Sequence, residues 1–304
     1  MKIYLNKVNE SWIIDRVRKD WYSHKKQIST RFINNSDIIW IISPWVWKTI
    51  PEKYLINRKI LCSYYHFDFE NFDTSDFNEL DQFVDQYHVI SEKTKEDLSK
   101  LTNKKITSIP FWVNQKIFFN IKNKVKLRKK YGFETNDFLV GSFQRDTESS
   151  DLQSPKLIKG PDIFINLISK LHKDNRNLKV VLSGKNRQYV IANLEKLGIA
   201  YKYFEMIDLN KLNELYNLLN LYLVTSRIEG GPQAILESSI TKTPILSTDV
   251  GVAPEILHNE SIYDINNFSS AKTNVDYAFE RSKDYTIPIG LNKFDKIFEE
   301  IYES

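Results

Sequence analysis

The 304-residue chain has a single cysteine, Cys62, which excludes an intrachain disulfide and a zinc site built from several cysteines. Long hydrophobic runs are also missing. The longest, residues 38–47, is interrupted by Ser43 and Pro44 and has about half the length that a bilayer-spanning helix needs. The first residues, MKIYLNKVNESW, lack the apolar core of a signal peptide. We therefore expect a cytoplasmic protein, with a place at the membrane surface as an open alternative.

The composition is that of a globular protein, with 41% hydrophobic and 27% charged residues. A chain of this length predicts two domains rather than one. Charge is unevenly distributed: residues 1–135 carry 24 basic and 16 acidic side chains, whereas residues 136–304 carry 19 and 23. The asymmetry indicates that the two halves have different partners. The alternative is that these charges only keep the surface solvated.

Short apolar runs alternate with amphipathic stretches along the chain. This alternation predicts parallel sheets built from βαβ units in doubly wound domains. Strands are predicted at residues 37–42, 59–64, 86–90, 106–109, 138–143, 179–183, 201–205, 221–225 and 244–247. Helices are predicted at residues 92–100, 122–130, 160–173, 189–197, 209–220, 232–241 and 292–304. The last of these places Phe294, Ile297, Phe298, Ile301 and Tyr302 on one apolar face.

Residues 221–257 combine a strand, a glycine turn and a helix. Gly230 and Gly231 let the backbone approach a ligand, and Pro232 suits the first helical position. The N–H groups at such a helix start attract anions, and the carboxyl ends of parallel strands are where open α/β sheets bind ligands. Glu229 and Glu237 flank this anion site, and carboxylates accept hydrogen bonds from sugar hydroxyls. The layout predicts a sugar nucleotide: a hexose, a diphosphate and a ribose.

The spacing Glu229-x7-Glu237, with SRxEGG before it and TPILSTDVGVAPEIL after it, resembles the retaining GT-B glycosyltransferases of family four. The resemblance implies that Glu229 contacts the donor sugar and that Glu237 holds the nucleotide ribose. It also implies that the amides of Gly230 and Gly231 face the donor. The alternative is a glycine-capped helix with two surface glutamates.

A second segment, residues 138–160, also resembles the family. In it, a strand is followed by a glycine, an arginine and then a Lys-Gly pair that opens a helix. The resemblance implies that Arg145 and Lys159 grip the donor diphosphate, whose departure needs nearby cations. The stretch TESSDLQSPKLI lengthens the gap between the two residues, so Lys156 remains a competitor for Lys159.

Three further positions are carried over from the family. Gly184 matches a strand-end glycine, and Glu205 or Met206 stands beside the nucleotide base where the family often has glycine. His66 matches a strand-end histidine near the transferred sugar, with a purely structural histidine as the alternative. The N-terminal glycine loop of the family is missing, which indicates a different handling of the acceptor.

The resemblance implies a GT-B architecture: two Rossmann-like domains facing a central cleft, with the C-terminal helix crossing back to the N-terminal domain. We expect an acceptor-side domain at residues 1–119, joined by residues 288–304, and a nucleotide-sugar domain at residues 120–287. The expected activity is retaining transfer of a sugar to an acceptor hydroxyl in glycan, polysaccharide or glycolipid synthesis. No cofactor and no metal are expected, and Asp68 and Glu70 are not interpreted as a metal motif.

Several alternatives remain open. The chain could glycosylate modified DNA, bind a donor without transferring it, or act as an epimerase or phosphorylase. A basic, aromatic stretch fits an anionic membrane or lipid-phosphate acceptor, a nucleic acid, or a solvated helix face. It comprises Trp12, Arg16, Arg18, Lys19, Trp21, Tyr22, Lys25 and Lys26. We expect a nucleotide-sugar donor and an anionic acceptor or carrier, with nucleic acid the less favoured partner.

Overall fold

The structure is a computed structural model that describes residues 1–7, 13–264 and 267–304. Trp12, at the start of the basic, aromatic stretch, lies outside the described residues. The chain forms two compact units: the first comprises Met1–Trp112 and Tyr285–Ser304, and the second comprises Val113–Asp284. These divisions fall a few residues before those expected from the sequence, which were placed after residues 119 and 287.

The first unit contains a parallel sheet in the order β1-β2-β3-β4-β5. Its strands are β1 (Ile3–Leu5), β2 (Ile38–Ile41), β3 (Lys59–Tyr64), β4 (Gln86–Val89) and β5 (Ile106–Ser108). All four residues of β2 are buried, as expected for a parallel strand that is covered on both faces. Cys62 is buried within β3, and burial raises the pKa of its thiol.

Helices cover both faces of this sheet. They are α1 (Ile13–His24), α2 (Glu52–Asn57), α3 (Thr74–Asp81), α4 (Glu92–Leu98) and the final helix of the chain, α12 (Ile289–Glu303). Residues of α1 and α12 form one core cluster with the sheet, and residues of α2, α3 and α4 form another on alternate strand positions. The Trp21 ring lies 5.3 Å from both the Trp40 and Phe298 rings. The return of the C-terminal helix to the N-terminal domain is therefore confirmed.

The basic, aromatic stretch is mostly α1, and its described aromatic residues face inward. Trp21 is fully buried, and the Tyr22 hydroxyl accepts a hydrogen bond from the Leu5 N–H at 3.1 Å. Lys25 donates to Asp295 at 2.6 Å. Trp21 and Tyr22 are thus core residues, which leaves them unable to insert into a membrane or stack on nucleic-acid bases.

The second unit contains a parallel sheet in the order β11-β10-β9-β6-β7-β8. Its strands are β6 (Phe138–Ser142), β7 (Leu178–Ser183), β8 (Tyr201–Phe204), β9 (Leu221–Val224), β10 (Ile245–Thr248) and β11 (Ile262–Tyr263). Counted from its first strand, the unit has the 6-5-4-1-2-3 order of a doubly wound dinucleotide-binding sheet. The strand order reverses between β6 and β9: β7 and β8 follow β6 on one side, and β10 and β11 follow β9 on the other. The crevice at that switch point is the usual ligand site of such sheets.

The helices of the second unit are α5 (Lys124–Lys130), α6 (Pro161–Asp174), α7 (Gln188–Lys196), α8 (Leu209–Leu218), α9 (Gln233–Ile240), α10 (Ala253–Ile256) and α11 (Val275–Ser282). The sequence of α6 explains its packing, because Ile163, Phe164, Leu167 and Ile168 recur on one helical face and are buried against the sheet. Two units with parallel Rossmann-like sheets confirm the predicted α/β class.

Candidate active site

Lys159 and Glu229 meet at the carboxyl edge of the second sheet, although 70 positions separate them in the chain. The Lys159 ammonium group contacts Glu229 Oε1, and the two side chains are only 18% and 13% exposed. The Ser226 hydroxyl also donates to Glu229 Oε1, at 3.3 Å. The structure therefore brings together the two residues that the sequence assigned to diphosphate and sugar.

The position of Lys159 depends on the residue that follows it. Gly160 has φ +61°, and a Cβ atom there would lie 1.8 Å from the carbonyl oxygen of Thr225. Only glycine allows this approach of α6 to the end of β9. The carbonyl of Lys159 accepts hydrogen bonds from Gln144 Nε2 at 2.9 Å and from the Thr225 hydroxyl at 3.3 Å. The Lys-Gly pair is thereby fixed to the loops that follow both β6 and β9.

Arg227 anchors the loop after β9 from the other side. Its backbone N–H donates to the Ile158 carbonyl at 2.8 Å, and its guanidinium forms a bidentate pair with Asp162 at 2.8 and 2.6 Å. The hydrogen bonds from Arg227 lower the pKa of the Asp162 carboxyl. Glu229 therefore extends from a loop that is held at several points before any ligand binds.

Gly251, in the later part of the motif, shapes the Glu229–Gly230–Gly231 segment. Gly251 has φ +46°, and a Cβ atom on it would lie 2.0 Å from the carbonyl oxygen of Gly230. Neither Gly230 nor Gly231 has a positive φ. The left-handed backbone that only glycine adopts easily is therefore required in the facing loop, at Gly251. Gly230 itself is buried in this contact, whereas Gly231 is partly exposed.

Glu237 lies in α9, whose first residue is Gln233. Pro232 is the N-cap of this helix, so the prediction that Pro232 is the first helical residue was wrong by one residue. Glu237 is 4% exposed, and its Oε2 accepts a 2.8 Å hydrogen bond from the Tyr216 hydroxyl. The Tyr216 ring in turn lies 4.9 Å from the Phe143 ring. A buried carboxylate with a fixed orientation is suited to recognising paired hydroxyls.

Arg145 lies in the loop after β6. Its Nη1 donates to the Ser149 hydroxyl at 3.4 Å, and its buried Nε has no hydrogen-bond partner among the described residues. Directly after it, Asp146 forms a buried ion pair with Arg187. The sequence did not point to this pair, because Asp146 and Arg187 are 41 positions apart and charged residues are usually exposed.

Lys156, the competitor of Lys159, lies in a different environment. It pairs with Glu148 at 3.1 Å within the lengthened loop, which is closed by an antiparallel bridge between Thr147 and Pro155. Lys156 is thus bound to the loop itself, whereas Lys159 contacts Glu229.

Gly184 and Met206 both have the left-handed backbone, with φ +97° and +43°. The Tyr203 hydroxyl donates to the Gly184 carbonyl at 2.7 Å, and burial raises the pKa of Tyr203 to about 12. Met206 is 41% exposed in the turn after β8. Its positive φ gives a physical reason why glycine would be favoured at this position.

His66 lies two residues after the end of β3 and is partly buried. It belongs to the first unit, whereas Lys159 and Glu229 belong to the second. Asp68 accepts a 2.9 Å hydrogen bond from Asn71 Nδ2. In the described part of the chain, no group of three or more His, Cys, Asp or Glu side chains is arranged to hold a metal ion. None of the helices formed by the described residues is long and apolar enough to cross a membrane.

Residues 154–286 match the family of glycosyl transferases group 1. No curated protein shows significant sequence similarity to the chain. Among solved structures, HepE of Anabaena in complex with UDP-glucose is similar with a TM-score of 0.76 and 13% identity, over 98% of this chain and 99% of that one. Sucrose-phosphate synthase of Thermosynechococcus elongatus gives a TM-score of 0.71 at 14% identity, over 98% and 81%. A glycosyltransferase of Rickettsia africae gives 0.66 at 18% identity, over 97% and 83%.

These likenesses show the fold, which is that of the GT-B glycosyltransferases. The matched family segment contains Lys159, Gly184, Met206, Glu229 and Glu237, and Arg145 precedes it. Family match and fold together support a transferase.

Proposed function

We propose that the chain is a retaining glycosyltransferase of family four that moves a sugar from a nucleotide-diphosphate sugar to an acceptor hydroxyl. The contact between Lys159 and Glu229 at the switch-point crevice is the observation that carries the proposal. The contact brings a cation that can bind the diphosphate next to a carboxylate that can bind the sugar. The diphosphate and the sugar are the two groups joined by the bond that breaks. Because HepE has been solved with UDP-glucose and with UDP, we propose a uridine diphosphate sugar as donor.

In the proposed reaction, the bond between the anomeric carbon and the diphosphate oxygen breaks while a bond to the acceptor oxygen forms on the same face of the sugar. The electron pair of the broken bond goes to the diphosphate, and a donor phosphate oxygen takes the acceptor proton. Arg145 and Lys159 stabilise the charge that develops on the leaving diphosphate. Glu229 exchanges its contact with Lys159 for the sugar hydroxyls, and Glu237 holds the ribose.

Gly230 and Gly231 present backbone N–H groups to the donor, and Gly184 and Met206 line the region of the base. The first unit, with His66, is proposed to contact the acceptor. Its excess of basic residues favours an anionic acceptor or carrier, either lipid-linked or a polysaccharide. Since Arg145 and Lys159 supply the positive charge, the proposal requires neither a cofactor nor a metal.

A thermal-shift screen with nucleotide diphosphate sugars tests the donor, because a ligand of the folded state raises the melting temperature. We expect UDP-sugars to raise it and purine diphosphate sugars to do so less. The screen is followed by measurement of UDP release with and without candidate glycans. Release that depends on an acceptor indicates transfer, whereas binding without release indicates a donor-binding protein.

Glu229→Ala separates chemistry from binding. We expect it to abolish transfer while UDP still binds, because Glu229 orients the sugar and not the nucleotide. Glu280→Ala is a control, since Glu280 is exposed and pairs with nearby Lys283 at 2.7 Å. Full activity of Glu229→Ala would refute the proposed role of that residue.

A further inference from the structure

Asp146, the residue after Arg145 in the loop that follows β6, forms a buried ion pair with Arg187. The Arg187 side chain is 0% exposed and that of Asp146 is 2% exposed. Arg187 Nη1 also donates to the carbonyl oxygens of Ser142 at 2.6 Å and Ser183 at 2.9 Å, which are the last residues of β6 and β7. One guanidinium thus joins the ends of two neighbouring strands to the start of the loop after β6.

Stability alone is a weak reason for such a pair. Removing two charges from water is costly, and apolar residues of similar volume often serve a core equally well or better. A planar guanidinium that reaches several acceptors at fixed angles does supply geometric precision. The pair therefore indicates that a neighbouring group needs an accurately fixed position.

Hydrogen bonds lead from the pair to Arg145. The carbonyl of Asn186 accepts from the N–H groups of Asp146 and Thr147 at 3.1 and 3.0 Å. The side-chain amide of Asn186 donates to the Ser149 hydroxyl at 2.9 Å, and Arg145 Nη1 donates to the same hydroxyl. The backbone directly after Arg145 is therefore bound to the segment that contains Arg187, and the Arg145 guanidinium is connected to the same segment through Ser149.

We propose that Arg187 and Asp146 are positioning residues that hold Arg145 at the donor diphosphate, an inference that rests on the proposed function. Neither residue touches the donor. Arg187 fixes Asp146, and Asp146 fixes the backbone direction of its neighbour Arg145, whose guanidinium then binds the leaving diphosphate. Substitution of either residue should reduce diphosphate binding by displacing Arg145, in addition to any effect on folding.

A double-mutant cycle tests this coupling, because it separates a shared effect from two independent ones. The variants are Arg187→Lys, Arg145→Ala and the combination, and the measurement is the UDP dissociation constant by calorimetry. We expect Arg187→Lys to raise that constant about tenfold, the scale of one lost charge-assisted hydrogen bond. In the Arg145→Ala background the same substitution should have almost no further effect.

Arg128→Lys is a matched control. Arg128 is also buried, at 9% exposed, and donates to the carbonyls of Leu218 and Asp137 at 3.1 and 3.2 Å. It lies away from the loops after β6 and β9. We expect Arg128→Lys to lower the melting temperature as Arg187→Lys does and to leave UDP affinity unchanged. If Arg187→Lys fails to fold, Asp146→Asn is the second variant, since it removes the buried charge at nearly constant volume.

The outcomes separate the two proposals. No UDP binding by the unsubstituted protein would overturn the proposed function and this inference with it. UDP binding that weakens with Arg145→Ala, and weakens by a further tenfold when Arg187→Lys is added, would overturn the inference alone. A drop in melting temperature with unchanged UDP affinity would assign Arg187 and Asp146 a structural role only.

Discussion

A methyl group on Gly251 would lie 2.0 Å from the carbonyl oxygen of Gly230 and 2.7 Å from that of Glu229. The loop that presents Glu229 is therefore shaped by a glycine that stands about twenty positions later in the chain. This backbone contact connects the TDVG segment of the motif to the EGG segment, because a side chain on Gly251 would displace the loop of Glu229.

Gly251→Ala should damage the site more than the fold. It places an alanine at φ +46° and forces the facing backbone to move, and a displacement of about 1 Å at a reacting group costs about a hundredfold in rate. We expect the rate of transfer to fall about a hundredfold while the protein remains folded. Gly198→Ala is the control, because Gly198 has φ +64° but no atom within 4 Å of an added Cβ. Equal losses of activity in Gly251→Ala and Gly198→Ala would show that the contact between Gly251 and the loop of Glu229 is not what transfer requires.

Lys159→Ala and Lys156→Ala distinguish the two candidate diphosphate lysines. Because Lys159 contacts Glu229 and Lys156 pairs with Glu148, we expect Lys159→Ala to lower kcat/KM about a hundredfold. Lys156→Ala should change it by no more than about threefold, because Lys156 pairs within the lengthened loop with Glu148, which is 40% exposed, and not with Glu229. Steady-state kinetics with the donor found by thermal shift provides the measurement. The reverse order of effects would move the diphosphate role to Lys156.

Tyr216→Phe should weaken donor binding without changing the turnover number. The substitution removes the 2.8 Å hydrogen bond that orients the Glu237 carboxylate, and the ribose contact that it supports is present in both ground and transition states. We expect a rise of about five- to tenfold in the donor KM. Tyr131→Phe is a close control, since Tyr131 donates to Glu214 at 2.5 Å between α5 and α8. A fall in kcat would refute a role limited to binding.

His88 should make the first unit less stable in mild acid. Its ring nitrogens contact the Ser63 hydroxyl and the Ile109 carbonyl, each at 2.8 Å, and burial lowers its pKa to about 4 from the usual 6.5. Between these values the unfolded chain binds a proton that the folded chain does not, so stability falls as the pH drops from 6.5 to 4. The loss is on the order of 3 kcal/mol.

Urea unfolding at pH 7 and pH 5 measures this effect, and His88→Gln identifies its source. Glutamine can accept from Ser63 and donate to Ile109 but does not titrate, so the variant should lose less stability on acidification than the parent. An identical pH dependence in both proteins would show that His88 does not titrate in this range. Other titrating groups contribute equally to both curves.

The periodicity of the sequence was sufficient to predict the central strands of the sheet in each unit. All nine predicted strands are confirmed within one residue at each end, because buried parallel strands are continuous runs such as IIWI and LYLV. The short edge strands β1 and β11 were missed, since three and two residues give no measurable pattern. The residues of α1 were interpreted as a basic, aromatic stretch for a membrane or lipid-phosphate acceptor, a nucleic acid or a solvated helix face, and the burial of Trp21 and Tyr22 in the core was not predicted.

The residues of the candidate site could be predicted from the sequence, but the contacts between their side chains could not. The resemblance supplied Lys159 and Glu229 separately, and only the fold shows that their side chains meet. Nothing in the sequence pointed to Gly251 as the residue that shapes the glutamate loop. Arg187 was overlooked for a physical reason: an arginine beside a turn predicts a solvated charge, and its burial becomes visible only when Asp146 lies opposite.

The packing of α12 also determines the order in which the protein can be completed during synthesis. Trp21 and Trp40 leave the ribosome before the second unit is made, whereas Phe294 and Phe298, which pack against them, are made after it. The second unit is contiguous and is already finished at that point. The first unit therefore lacks part of its core, the aromatic side chains of α12, until the whole second unit has been translated.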